Sequence, residues 1–289
     1  MKTFLFAVLI SIAAVASAQW QSVGPGVDYQ EFKQDDSDIH VARIDLTNDK
    51  ITVVGSRQSD KGIRVSEFGR KSKALAAING DYFDDHFNPI GTTVGQCGPW
   101  ESAQRSKREG LVMVGDNAAE IAKQSDVDPK APAPDWASTA ISGWPALIVD
   151  CEPLTAKKLP GSDAFTRAAH PRTAVGLSRD QKTMYFVVAE GRRGGVPGLT
   201  LAQLASFIAD ELDACSAINL DGGGSSAMWV ANRVVNHPAD GVERPVGNHL
   251  GVVLRTDLIA CEGGEEMITK TVTTTTRTTT TTKSVNPPH

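Results

Sequence analysis

Apolar positions in this chain recur in short runs separated by polar turns, a rhythm that favours strands over helices. Residues 39–46 and 51–54 read as two strands, and Asn48-Asp49-Lys50 between them predicts a hairpin-like pair. Residues 65–73 predict a short helix. The small apolar run at 74–78 ends in Asn79-Gly80-Asp81, a turn signal. Further strands are predicted at 111–114, 146–149, 173–177 and 184–188. One stretch has a clear helical period: over 200–212, Leu201, Leu204, Ala205, Ile208 and Leu212 share a face. Thr200 and Gln203 are placed to form a capping box at its start. Residues 217–220 read as a buried strand running straight into Asp221-Gly222-Gly223-Gly224, and 250–255 as the last strand. The stretch 115–136 is rich in Pro, Ala and Asp and reads as an insertion. There is no internal repeat and no regular βαβ alternation. The predicted class is α+β, a strand-rich mixed sheet core with a few flanking helices.

The two ends break this rhythm. Residues 1–18 hold one positive charge, Lys2, then an apolar stretch, then Ala16-Ser17-Ala18, whose small residues suit signal peptidase. The expected mature start is Gln19. The apolar stretch is short of the roughly 20 residues that span a bilayer, so a released, extracellular product is expected rather than stable membrane insertion. Residues 262–289 end in a Thr-rich tract with almost nothing apolar to bury, which predicts a disordered tail or an O-glycosylated stalk. The globular part is therefore 19–261.

Composition narrows the function classes. The net charge is −5, with no basic block, which excludes a general nucleic-acid binder but not a local cationic pocket. The oligomeric state is not legible. Cys97, Cys151, Cys215 and Cys261 make an even set, and in an exported chain that predicts two disulfides. Cys215 precedes one strand-like run and Cys261 follows another, so their pairing is the favoured expectation. No CxxC spacing points to zinc and no loop has calcium-binding spacing. No metal or cofactor is expected.

The chemistry-bearing residues gather at strand ends. Asp221 closes a buried strand, and Gly222, Gly223 and Gly224 follow it. Three consecutive glycines cost backbone entropy, so a positive φ or a close approach must require them. Their N–H groups and the Ser225 hydroxyl could cradle an anion or a sugar; the alternative is a tight turn. At the end of another apolar run, Asn79 can bind a hydroxyl and Asp81 is a candidate acid or base. Arg172, after His170-Pro171, could fork onto a phosphate. Arg192, in Glu190-Gly191-Arg192-Arg193, predicts an anion-binding loop.

Taken together, Asn79-Gly80-Asp81-Tyr82-Phe83, His170-Pro171-Arg172-Thr173-Ala174-Val175-Gly176, Glu190-Gly191-Arg192, Leu199-Thr200-Leu201, Asn219-Leu220-Asp221-Gly222-Gly223-Gly224-Ser225-Ser226 and Arg244-Pro245-Val246-Gly247-Asn248 occur in the order of a known family. The chain resembles the phosphodiester glycosidases from about residue 39 to 255. Asp81 stands where relatives often have glycine, and Glu190 where they often have aspartate. The resemblance implies a hydrolase that cleaves the sugar–phosphate bond of sugar-1-phosphodiesters. It implies Asp221 at the sugar side, Arg172 and secondarily Arg192 on the phosphate, and Asn79 and Asn248 on hydroxyls or on a carboxylate. The backbone of Gly222, Gly223 and Gly224, with Ser225, would complete the cradle. Two other readings remain open: a secreted carbohydrate- or wall-binding module without turnover, and ordinary glycoside hydrolysis by the pair Asp81 and Asp221.

Overall fold

The computed structural model describes residues 19–261, apart from 107–109, 117 and 129. The expected leader and Thr-rich tail lie outside the described residues. Numbered in chain order, the strands form three antiparallel sheets. The largest has eight strands in the order β1 (Gln21–Gly24), β2 (Val27–Gln34), β3 (Ser37–Asp45), β14 (Thr183–Ala189), β13 (Arg172–Ser178), β15 (Ala214–Asn219), β11 (Ala146–Val149) and β12 (Glu152–Pro153). A second, five-stranded sheet runs β7 (Gly98–Pro99), β6 (Val94–Gly95), β10 (Thr139–Gly143), β8 (Gly110–Val114) and β9 (Ala119–Ala122). The third runs β17 (Arg233–Val234), β16 (Met228–Val230), β5 (Ala76–Asn79), β18 (His249–Leu254) and β4 (Ile51–Gly55). With helices α1 (Val65–Ser72), α2 (Asp163–Thr166) and α3 (Leu201–Asp210), the class is α+β, dominated by sheet.

The large sheet is covered on both faces, and its sequence shows it. On β14, Met184, Phe186 and Val188 enter one core with Ile78, Leu250 and Met228 of the third sheet and Val112 and Ile141 of the second. The alternate residues Tyr185, Val187 and Ala189 enter a separate core with Leu204, Ala205 and Ile208 of α3. Side chains of a strand alternate between faces, so a strand buried on both sides reads as a continuous apolar run. Helix α3 begins with the capping box read from the sequence: Gln203 N–H donates to Thr200 Oγ1 (3.2 Å), and Thr200 N–H donates to Gln203 Oε1 (2.9 Å). Helix α1 lies on the outer face of the third sheet, where Val65 and Phe68 meet Ala77, Trp229 and Val253.

Three local expectations are corrected. The strands β3 and β4 are not a hairpin. β3 is already paired on both edges, by β2 and β14, and β4 pairs with β18. The intervening turn carries the chain from one sheet to another, so Ile44 and Ile51 meet across the core. The stretch 115–136 is not wholly an insertion, because β9 pairs with β8, Leu111 opposite Ala122. Cys215 does not pair with Cys261. The disulfides are Cys151–Cys215 and Cys97–Cys261. Cys215 lies on β15 beside β11, where Cys151 N–H donates to its carbonyl. Cys261 follows the third sheet and reaches the turn between β6 and β7, next to Gln96.

Candidate functional site

Antiparallel register assembles the site. His249 lies opposite Asn79, Ala174 opposite Asn219, and Arg172 opposite Ala189. In such pairs one strand's start sits beside its neighbour's end. The starts of β13 and β18 therefore join the ends of β5, β14 and β15, and Asn79, Arg172, Glu190, Asp221 and Asn248 gather at one end of the two sheets.

Asn79, Asp81 and Asn248 form the floor, and their polar groups are engaged with the protein. Asn79 is fully buried. Its Nδ2 donates to the Asp221 carbonyl (2.7 Å), and its Oδ1 accepts from Thr173 Oγ1 (2.8 Å). This ties the third sheet to the large one directly beneath Asp221. Asn248, also fully buried, accepts from Asp81 N–H (2.8 Å) and donates to Asp81 Oδ2 (2.9 Å) and Thr93 Oγ1 (3.1 Å). Thr93 Oγ1 in turn donates to Asp81 Oδ2 (2.8 Å). Gly80 is required here, because a Cβ would collide with Asn248 Oδ1. These side chains hold one another and the backbone below Asp221.

Asp221 is different. It is only partly buried. Its Oδ1 accepts from Gly222 N–H (2.9 Å), and the buried Ser225 hydroxyl faces its carboxyl and favours the anion. Desolvation outweighs these contacts and raises its pKa to about 6, with Arg244 a smaller opposing influence. Two of the glycines have a clear reason: Gly223 has φ +63°, and a Cβ on Gly222 would press on the Pro171 carbonyl oxygen. Two of the expected free donors are consumed, since Gly222 N–H goes to Asp221 and Gly223 N–H to the Pro171 carbonyl (2.9 Å). The turn therefore offers less bare backbone than its sequence implies.

Guanidinium groups surround this turn. Arg172 is buried and anchored to the Leu199, Phe165 and Ala168 carbonyls. Its Nη1 makes no hydrogen bond among the described residues. Burial lowers its pKa to about 10, with Tyr82 opposing and Arg192 adding to the shift, so it stays charged at neutral pH. Arg192 Nη1 lies against Gly223, and its Nη2 bonds His170 Nδ1 (3.1 Å). Arg244 lies against Gly224 and donates to Asp240 Oδ2 (2.6 Å). Arg192 and Arg244 thus reach the glycine turn that follows Asp221, Arg192 is an electrostatic neighbour of Arg172, and Arg244 acts on the Asp221 carboxyl itself; none of the three is hydrogen-bonded to it.

Glu190, at the end of β14, has the opposite surroundings. Its Oε1 accepts from His40 Nε2 (3.0 Å) and His237 N–H (2.7 Å), and its Oε2 from Arg193 Nη2 (2.6 Å). Desolvation is the largest single influence, but the contacts to His40 and His237 together prevail and lower its pKa to about 2. The carboxylate thereby fixes the base of the loop that carries Arg192.

Sequence reasoning left Tyr82, Arg244, Thr93 and Asn219 without a role. Tyr82 and Arg244 sit inside the quoted motifs, which is the signal that could have found them. Tyr82 OH donates to the Trp144 carbonyl (2.9 Å) and accepts from Asn219 Nδ2 (2.7 Å). Burial and the nearby Asp221 charge push its pKa up. Thr93 has no local sequence signal. Among the described residues, no group of three or more His, Cys, Asp or Glu side chains could hold a metal ion.

Similarities to known proteins agree with this layout. The chain is 20% identical to the catalytic domain of zebrafish N-acetylglucosamine-1-phosphodiester alpha-N-acetylglucosaminidase, solved in a form auto-inhibited by its pro-peptide. That superposition has a TM-score of 0.63 and covers 82% of this chain and 87% of that one. A hypothetical protein from Synechocystis superposes with a TM-score of 0.60 at 17% identity, over 84% of this chain and 65% of that one. These likenesses concern the fold. In sequence, the chain is 25% identical over 191 residues to the SPbeta prophage-derived protein YomE of Bacillus subtilis (strain 168), a match spanning 65% of this chain and 29% of that protein. The sequence profile of the phosphodiester glycosidases matches residues 72–253, which include Asn79, Arg172, Asp221 and Asn248. With that profile covering more than half of its length, the chain belongs to the phosphodiester glycosidase family.

Proposed function

We propose that the chain is a hydrolase that cleaves the bond between a sugar's anomeric carbon and the phosphate of a sugar-1-phosphodiester, N-acetylglucosamine-1-phosphodiesters included. The observation that carries this reading is Asp221, a carboxyl with a raised pKa and no direct ion pair, followed by a glycine turn that Arg192 and Arg244 reach, with Arg172 an electrostatic neighbour of Arg192. A guanidinium cluster suits a phosphodiester anion. The departing phosphate monoester is itself a stable anion, so positive charge can replace a strong general acid. Removing one such charge-stabilising contact commonly costs about 3 kcal/mol of barrier. Arg172 and Arg192 hold the phosphate, and Arg244 adds a third positive charge beside the turn. Asp221, anionic above about pH 6, acts at the anomeric carbon as nucleophile or as base for water. Ser225 orients it. Asn79, Asn248 and Asp81 act as positioning residues, because their hydrogen bonds hold the backbone on which Asp221 stands. The fold shared with zebrafish N-acetylglucosamine-1-phosphodiester alpha-N-acetylglucosaminidase supports the substrate class. The two disulfides and the leader-like N-terminus support an extracellular site of action.

The test is incubation of the purified protein with UDP-N-acetylglucosamine and a panel of sugar-1-phosphodiesters, beside a phosphate-free aryl glycoside. Release of free sugar from the phosphodiesters is the expected result. Binding without release would favour a carbohydrate-binding module, and hydrolysis of the aryl glycoside alone would favour an ordinary glycosidase.

A further inference from the structure

Beside the arginine cluster lies a hollow of about 290 Å³ whose lining includes Tyr82, Ile90, Ser142, Gly143, Trp144 and Phe165. Two of its walls belong to the candidate site itself. Tyr82 is an electrostatic neighbour of both Asp221 and Arg172. Phe165 gives its carbonyl to Arg172 Nη2 (2.6 Å), and its ring lies under the Arg172 guanidinium at 5.3 Å. The Phe165 ring also stacks on Trp144, with centroids 5.2 Å apart and planes 18° from parallel. Tyr82 and Phe165 are thus shared between the hollow and the surroundings of Arg172.

Its chemistry is unlike that of a sugar pocket. A pyranose needs hydrogen-bonding partners for several hydroxyls, and the hydroxyls of Tyr82 and Ser142, two of the three in this lining, are engaged elsewhere. Tyr82 OH serves Trp144 and Asn219, and Ser142 Oγ donates to the Ile90 carbonyl (3.1 Å). What faces the space is the indole and phenyl pair and the side chain of Ile90, which is 37% exposed. An occupant without polar groups would lose nothing there.

We propose that this hollow is the subsite for the phosphate's second ester group, and that it selects phosphodiesters whose second ester group is apolar and ring-sized. The proposal rests on the sugar-phosphodiester reading of Asp221 and the arginines. Asp221 then works on the sugar while Arg172 holds the phosphate, and the Trp144–Phe165 stack receives the group that leaves with it. Nothing changes in the bond cleaved: the anomeric C–O bond breaks, water supplies the hydroxyl, and the apolar phosphate monoester departs.

The experiment compares the benzyl and methyl esters of N-acetylglucosamine-1-phosphate as substrates. Their monoester products, benzyl phosphate and methyl phosphate, are compared as ligands by calorimetry. The benzyl ester is expected to have a KM lower by roughly tenfold or more, as burial of one ring predicts. Benzyl phosphate should bind more tightly by a similar factor. Trp144→Ala should reduce both ratios towards one. Ile90→Asp, at a half-exposed position that leaves the stack intact, should do the same if the first variant does not fold. Equal handling of the two groups by the unaltered protein in both measurements overturns the subsite, as does a preference untouched by either folded variant. Hydrolysis of neither ester, with benzyl phosphate still preferred and the preference lost in Ile90→Asp, would sink the hydrolase reading and leave the apolar subsite standing.

Discussion

Asp221 and Glu190 are two carboxyls at the same end of the same sheet, on the ends of β15 and β14, and the protein treats them in opposite ways. Glu190 is the more deeply enclosed, yet its pKa falls to about 2. Asp221 keeps part of its surface, but the protein packed around it desolvates the carboxyl and its pKa rises to about 6. Desolvation raises both, so burial alone does not give them opposite shifts. The difference is compensation: Glu190 has direct partners in His40, His237 and Arg193, whereas the arginines around Asp221 stop short of it. A desolvated carboxyl with direct partners is an anchor, and one left without them titrates closer to neutral pH.

The largest test of this contrast is Asp221→Asn. Activity on a sugar-1-phosphodiester should fall by about a thousandfold or more, measured as released sugar. The fold should gain stability at the same time. Because the folded pKa lies above the unfolded value of 3.8, ionisation of Asp221 opposes folding, and the penalty grows as pH rises from about 4 through 6. Its removal should add roughly 2–3 kcal/mol at pH 7 in urea unfolding. A variant that is inactive and also less stable would mean that Asp221 is an anchor like Glu190.

Glu190→Gln should behave in the opposite sense. Arg193 and His237 are partly exposed and can turn to solvent, so the loss should be about 1–3 kcal/mol, the order of hydrogen bonds to a charged group. Since the folded pKa is depressed below 4.5, this stabilisation is present above about pH 4.5 and is lost as pH falls through about 2. The wild type and the variant should therefore differ in stability at neutral pH and converge in acid. A constant difference down to pH 2 would remove Glu190 from the ionic network.

A third, smaller effect is the pH dependence of turnover. If the Asp221 anion is the working form, kcat/KM should bend near pH 6 and fall about tenfold per unit below it. A profile flat to pH 4 would place the working carboxyl elsewhere. The smallest expected change is Arg192→Ala. Its side chain is exposed, so stability should hold while KM for phosphodiesters rises roughly tenfold, the order of one charge-assisted hydrogen bond. An equal rise for a phosphate-free glycoside would detach Arg192 from the phosphate.

How much of this was legible in the chain depends on the range of the interactions involved. The helix at 201–210 was readable because its period and capping box are local. The strands β13 and β14 were readable because burial on both faces makes them nearly continuous apolar runs, whereas of β15 only the end from Ala217 was, since Cys215 and Ser216 are partly exposed. Strand β10 was not, since Thr139-Ala140-Ile141-Ser142-Gly143 has no marked pattern and is strand only because β8 and β6 flank it. The false hairpin at 46–50 and the wrong disulfide share a cause. Both infer a partner from order along the chain, whereas the partner was chosen by sheets that meet in space.

The candidate site divides in the same way. The residue types and their strand-end positions are written locally: Asp221 before its glycines, Arg172 after a proline, Asn79 before Gly80. By itself the sequence determined the strand-rich class, the family resemblance and which side chains could carry charge chemistry. Only the tertiary structure decided how each is used. It set Asn79 and Asn248 as ties beneath the site, because their amides meet Asp221, Thr173, Asp81 and Thr93 across strands. It brought Arg244 to the Gly224 turn. It also gave two carboxyls of similar chemistry opposite pKa shifts, because a pKa is set by the charges and solvent within a few ångströms, and those neighbours come from distant parts of the chain.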